Sequence, residues 1–315
     1  MPGRARSAEM TTTTVTKRSR SARARRHSTR NALVGWSFIL PNFLGFATLT
    51  LVPVIASFAL AFMKWNSYTT PEWVGLKNFR RMLADETFWI STGNTFVYAI
   101  GHVPLTFAVS LGLALLLNKK MRGVSIFRTA AFFPYITSMV ATAVVWNMLF
   151  SADMGPINQF LHFIGIANPP GWTGSTTWAM PAVIITSVWH DMGYYMVLFL
   201  AGLQSIPPEY YEAAAVDGAN TWQKFRNITM PSLGPTTFFV LIMLTISSFK
   251  VFDLIFVMTG GGPGRATMVL SQLIYQKGIA EGNFGYSSAI SLAMFLIVLV
   301  VTALQFGVQE RKSIQ

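Results

Sequence analysis

The sequence predicts an all-α membrane protein of six transmembrane helices. Three observations predict it: the scarcity of charge, six long apolar stretches, and a lopsided distribution of Lys and Arg between the connecting segments. Only 11% of the 315 residues are charged against 52% hydrophobic, and the mean hydropathy is +0.45. A soluble domain carries about 25% charged residues, and even a large soluble core needs a charged outer shell. Lipid-facing surface removes that need, because a charge at the bilayer centre costs several kcal/mol.

The apolar stretches cover 32–63, 88–117, 129–150, 178–203, 233–259 and 286–308. Each is near or above the roughly 20 residues needed to cross a bilayer. The first contains no charged residue but holds Pro41 and Pro53. Prolines are tolerated in membrane helices because neighbouring groups satisfy the freed carbonyl. Apolar residues run all round the first three stretches, which suits membrane helices rather than amphipathic surface ones.

Charge sets the expected orientation. Residues 1–30 hold nine Lys and Arg against the single acid Glu9, and read as a disordered basic cytoplasmic tail. No folded nucleic-acid module follows it, so no nucleic-acid partner is expected. The apolar stretch after the tail is about twice the length of a signal-peptide core. With the N-terminus inside, the inner segments also hold Lys119, Lys120, Arg122, Arg128, Lys224, Arg226, Arg311 and Lys312. The outer segments hold Lys64, Lys77, Arg80, Arg81, Arg265 and Lys277. The positive-inside rule turns this bias into an N-in, C-in topology. The first outer loop, with four basic residues, runs against the rule. The membrane domain is expected over 31–310, with 311–315 a cytoplasmic end.

The outer loops carry turn and interface signals. Leu76, Phe79, Met82 and Leu83 follow Gly75 at helical spacing, which predicts a short interfacial helix. Asn168, Pro169, Pro170, Gly171, Trp172 and Gly174 form a turn-rich segment. Trp36, Trp65, Trp73, Trp89 and Trp172 read as interface anchors. Gly260, Gly261, Gly262, Pro263 and Gly264 lack the GK[ST] ending of a phosphate loop and read as a turn.

The longest inner connection, 204–232, carries the most specific signal. Pro207 and Pro208 open a short helix over 210–216, with Glu209 near its positive end. Gly218 breaks it, and Asn220 with Gln223 has the pattern of a capping box for a second short helix. Pro231 ends the loop and begins the fifth span. Ala213, Ala214 and Ala215 offer a small-residue surface that another protein can approach closely.

Glu212, Ala213, Ala214, Gly218, Ile228 and Pro231 resemble the EAA motif of ABC importer permeases: EAA, three residues, G, nine residues, I, one residue, then LP. Met230 replaces the usual Leu. The stretches AGLQSIPPEYYEAAAVDGA, FKVFDLIFVMTGGGP and VGLKNFRRML are similar to carbohydrate-uptake permeases of the maltose and multiple-sugar type. The resemblance covers nearly the whole chain after the tail. It implies a type I importer (MetI-like) permease fold in the bacterial cytoplasmic membrane. It implies a second homologous permease, two cytoplasmic ATPase subunits, an extracytoplasmic solute-binding protein and a sugar as substrate. Glu212, Ala213, Ala214, Asp217, Gly218, Ile228 and Pro231 would then couple this chain to the ATPase. The sequence has no Walker A motif, so ATP and Mg belong to the partners and this chain binds no cofactor. No catalytic residue or metal ligand is expected, since four scattered histidines and no cysteine supply little for either.

Polar residues inside the spans are candidates for the substrate path. Ser187, His190, Asp191 and Tyr194 lie in the fourth, with Ser187, Asp191 and Tyr194 on one helix face. Adjacent His190 and Asp191 should point apart. Ser247, Ser248 and Lys250 lie in the fifth, where Lys250 and Asp253 at i and i+3 should pair. The resemblance places mid-membrane polar and aromatic side chains of these two helices around the sugar. Asn94, His102 and Asn147 read as helix-packing groups. An ion-coupled secondary transporter using Asp191 and Asp253 is the competing reading.

Overall fold

The structure, a computed structural model, describes residues 36–119 and 122–313. The expected basic tail, Lys120 and residues 314–315 lie outside the described residues. The chain divides into two compact units, residues 1–57 and 58–315.

Helix α1 (Trp36–Leu60) is the first apolar helix. Pro53 has no N–H to offer the carbonyl of Leu49, and the helix answers with a wider π turn over Ala47–Leu51, in which Val52 N–H reaches Ala47 O. Thr48 Oγ1 donates back to Leu44 O at 2.7 Å. The first span was expected to reach residue 63. Instead the helix stops at Leu60, and Met63–Lys64 (β1) pairs antiparallel with Glu72–Trp73 (β2).

Beyond this hairpin, helix α2 (Lys77–Ala84) is the expected short amphipathic helix. Met82 is buried and Phe79 packs beside it, while Leu76 and Leu83 remain exposed. Helix α3 (Glu86–Leu117) is capped by Asp85, whose carboxylate accepts from Thr87 N–H at 2.9 Å. The same carboxylate accepts from the Tyr286 hydroxyl at 2.6 Å.

The third span departs from the single helix expected over 129–150. Helices α4 (Val124–Ile136) and α5 (Met139–Leu149) meet at 99°. Thr137 and Ser138 adopt extended ψ values of 150° and 129° three residues after Pro134, which cannot donate to the preceding turn. Thr137 Oγ1 caps the exposed end by donating to Pro134 O at 2.6 Å. Helix α6 (Pro156–Phe163) and a buried Trp172 fill the next connection. Trp172 Nε1 donates to Asn158 Oδ1 at 2.6 Å. Trp172 is therefore a core residue and not the interface anchor expected.

Helix α7 (Ala179–Gln204) is continuous and more than half buried, and it is the central element. It packs along α3 and α4. At Gly193 an added Cβ would lie 2.0 Å from Ala131 O, so only glycine lets α4 approach this closely. After α7 come helix α8 (Pro208–Val216), helix α9 (Thr221–Ser232, with a π turn at Phe225–Thr229) and helix α10 (Gly234–Phe249). Helices α9 and α10 meet at 68°. Pro231 lies in the last turn of α9 rather than opening the next span.

The fifth span also departs from the helix expected over 233–259. Helix α10 ends at Phe249, and α11 (Asp253–Met258) starts after a three-residue break. Lys250 and Asp253 form no ion pair among the described residues, because the helix that would set their spacing is interrupted. Ser271 Oγ donates to the freed carbonyl of Val251. Helix α12 (Leu270–Tyr275) precedes α13 (Phe284–Ser313), whose start seats against β1 at Gly285. Among the described residues, four helices are thus long and apolar enough to cross a membrane, or up to six if each bent pair is one span.

Candidate functional site

Two polar constellations stand out, one at an end of the bundle and one at its middle. The end constellation is the connection between α7 and α10. Helix α8 terminates in a Schellman motif: Ala219 N–H bonds to Ala214 O at 2.8 Å and Gly218 N–H to Ala215 O at 3.1 Å. Gly218 has φ +75°, and a Cβ there would meet open space, so the glycine is required by backbone conformation and not by crowding. The next helix opens with a capping box in which Gln223 N–H donates to Asn220 Oδ1 and Asn220 N–H to Gln223 Oε1, at 2.9 and 2.8 Å.

These two stops fold the connection into a knob. Tyr211 fastens it, its hydroxyl 3.0 Å from Thr229 Oγ1 and its ring against the core cluster of Leu203, Ile206 and Leu233. Ile228 packs into the same cluster. Glu212, Ala213, Asp217, Gly218 and Pro231 face outward, and Ala214 is half-buried. Val216 and Trp222 are 89% and 65% exposed, an apolar pair on the outside of the knob. The EAA positions therefore divide: Ile228 holds the knob to the bundle, and most of the others are displayed.

The central constellation surrounds Asp191, halfway along α7. Its Oδ1 lies 2.8 Å from His190 Nδ1 and its Oδ2 3.2 Å from His102 Nε2 on α3, an approach not aligned with the ring N–H direction. His102 Nδ1 is 2.9 Å from Ser248 Oγ on α10. His190 Nε2 is 3.5 Å from Thr137 O, the carbonyl exposed by the break between α4 and α5. Two imidazoles and one carboxylate thus tie α3, α7 and α10 to the bend of the third span. The expectation that His190 and Asp191 point apart is overturned, since both side chains can fold toward a shared hydrogen bond at the helix surface. His102, expected only to pack helices, is a member of the same cluster.

Aromatic rings line one side. Tyr194 stacks on Tyr135 at 4.5 Å, and Tyr135 is 38% exposed. Ser187 is buried and accepts from Tyr98 at 2.8 Å, so of the face expected to carry Ser187, Asp191 and Tyr194 only the latter two reach the surface. Ser247 is exposed and Ser248 buried. Lys250, one residue beyond α10, is exposed. Asn94 donates to the carbonyls of Arg265 and Met268, and Asn147 to that of Met258, the packing roles expected.

Tyr98, Tyr135 and Thr137 were not legible as site residues, but a signal for α3 existed. Ser91, Thr95, Tyr98, His102, Thr106 and Ser110 recur at spacings of three and four within a long apolar helix, and all are buried.

The model of the family described as "Binding-protein-dependent transport system inner membrane component" matches residues 105–314. The chain is 39% identical over 294 residues to the probable ABC transporter permease protein YesP of Bacillus subtilis, covering 92% of this chain and 93% of that protein. It is 34% identical over 274 residues to the trehalose/maltose transport system permease protein MalF of Thermococcus litoralis, covering 87% and 92%. The solved structure of a bacterial ABC transporter involved in the import of the acidic polysaccharide alginate shares the fold. Its TM-score is 0.80 with 24% identity, over 92% of this chain and 99% of that one. With a broken span over a half-lined polar centre and the EAA loop folded as a displayed knob, the chain belongs to the binding-protein-dependent transport inner membrane components, the non-catalytic permease subunits of ABC importers.

Proposed function

We propose that the chain forms half of a sugar-conducting path and is driven by ATPase subunits that grip the α8–α9 knob. The observation that carries this is the display of Glu212, Ala213 and Gly218 on a knob that is fixed to the bundle through Tyr211 and Ile228. A load placed on α8 is transmitted through that anchor to the end of α7 and the start of α10, the two helices that hold Asp191 and Ser248. Exposed Val216 and Trp222 supply the apolar contact such a grip needs. Sugar as the substrate class is supported by relatives named for trehalose/maltose, starch degradation products and lactose.

A second, homologous permease completes the path, two cytoplasmic subunits supply ATP and Mg, and an extracytoplasmic binding protein delivers the sugar. On the path wall, Asp191 and Ser247 accept and donate to sugar hydroxyls, and the Tyr135–Tyr194 stack offers an apolar ring face. His190 and Ser248 hold this wall in place, and Ser187 supports it from behind through Tyr98. Lys250 adds a donor.

The test is uptake into proteoliposomes holding the assembled complex. Gly218→Val and Glu212→Lys should leave the subunit inserted and co-purifying with its permease partner, yet abolish ATP-driven uptake. Normal uptake by either variant would overturn the coupling role. Uptake without ATP under an imposed proton gradient would favour an ion-coupled carrier built on Asp191 and Asp253.

A further inference from the structure

The four basic residues of the first outer loop run against the positive-inside rule, and the structure gathers three of them. Lys64, Lys77 and Arg81 line one cavity of about 600 Å³ between the β1–β2 hairpin, α2 and the turn before α13. That volume suits a small polar headgroup. The acids in the wall do not cancel these charges. Glu281 is taken by Lys277 at 2.7 Å, and Glu72, although opposite Lys64 in the hairpin, makes no ion pair with it among the described residues.

The walls are fixed. Asn78 donates to the carbonyls of Ala61 and Met63 at 3.0 and 2.8 Å, and the guanidinium of Arg81 sits 4.3 Å over the Tyr286 ring. Asn66 holds the hairpin tip through Tyr68 and Thr69. Among the described residues, what remains unengaged in the wall is mostly donor: the two lysine ammoniums and the carboxamide N–H groups of Asn66 and Asn283, with Glu72 as acceptor.

Chain order also gives the cavity a depth. In the chain its residues follow the end of α1 and precede the starts of α3 and α13, where apolar length places the headgroup level as an expectation. Beside it Leu76, just before α2, and Leu83 within it are exposed, and the hairpin and α3 expose Trp73 and Trp89, side chains suited to that interface.

We propose that this cavity is a binding site for the headgroup of an anionic phospholipid of the phosphatidylglycerol type. The phosphate sits among Lys64, Lys77 and Arg81, and the glycerol hydroxyls meet Asn66, Glu72 and Asn283. Lys64, Lys77 and Arg81 are kept outside because they bind an anion there, and the contact anchors the hairpin and α2 at the mouth of the bundle.

The complex purified in mild detergent is exposed to equal phosphatidylglycerol and phosphatidylcholine, and retained lipid is read by native mass spectrometry. Phosphatidylglycerol should be retained preferentially, and Lys64→Gln/Lys77→Gln should weaken that preference by roughly an order of magnitude. Equal retention of the two lipids, or a preference unchanged in the variant, overturns the proposal. Competition by sn-glycerol-1-phosphate without any lipid retention would show a free phosphate site and overturn the lipid assignment. Lower affinity of the variant for the binding protein in pure phosphatidylcholine membranes, with lipid preference intact, would mark a protein-docking site instead. The lipid readout does not depend on transport, so its failure is distinct from failure of the coupling role.

Discussion

Asp191 is held from two sides, by His190 on its own helix and His102 on α3, and this fixes where a carboxylate can present its free lone pairs. His102→Ala removes one side and also the imidazole contact of Ser248 Oγ, which keeps only its bond to Leu244 O. Truncating one partner of a buried polar pair costs about 1–3 kcal/mol. A matching fall in the unfolding temperature of the detergent-solubilised subunit is expected, with partial recovery in His102→Asn. Asp85 offers a pH test at the other end of the molecule. Burial raises its pKa, but hydrogen bonds from Tyr286 and Thr87 outweigh that and hold the carboxyl below the ordinary 3.8. The folded state therefore binds its proton less readily than the unfolded chain. The stabilisation is complete above the unfolded value of 3.8 and is lost as pH falls through the lower folded value. The stability gap between wild type and Asp85→Asn should be constant from neutral pH down to about 4 and close below it.

At the scale of elements, the departures from regular helix are what build the site. The break after Ile136 releases the Thr137 carbonyl toward His190, and the break after Phe249 ends α10 at the depth of His102. Both spans were readable as apolar, since hydropathy reports burial in lipid and not backbone continuity. Pro134 hinted at the first break; nothing in the sequence pointed to the second, because Lys250 and Asp253 at i and i+3 suggested a continuous turn. Gly193 sets the closeness of α4 and α7. Gly193→Ala forces these helices apart two residues after Asp191 and one before Tyr194. A loss of about 1–3 kcal/mol is expected by chemical unfolding, together with reduced uptake, because the Tyr135–Tyr194 stack spans the same crossing.

At the scale of the whole molecule, Lys250 and Ser247 are exposed on the side proposed to line the path. An ammonium is costly against lipid tails, so the proposed path predicts that water reaches both positions. The chain has no cysteine, which makes labelling unambiguous. Lys250→Cys and Ser247→Cys in the assembled transporter should react with a water-soluble maleimide, and cognate sugar should slow the reaction. Inert thiols at both positions would place them against lipid or packed protein and remove them from the path.

The sequence by itself determined the elements whose physics is local. Apolar length gave the spans, Asn220 and Gln223 gave the capping box, and Gly218 gave the left-handed stop that shapes the knob. The EAA spacing identified the family for the same reason, since the knob is built from one contiguous segment. Only the tertiary structure decided the central cluster. His102 and Asp191 are 89 positions apart and meet because α3 lies along α7, while the carbonyl that completes the network belongs to a helix break. The first outer loop divides the same way: its four basic residues were an anomaly in sequence, and three of them became one cavity once the hairpin docked on α13. Residues far apart in the chain acquire a shared chemistry only through packing, and packing depends on side-chain shapes that hydropathy and charge do not record.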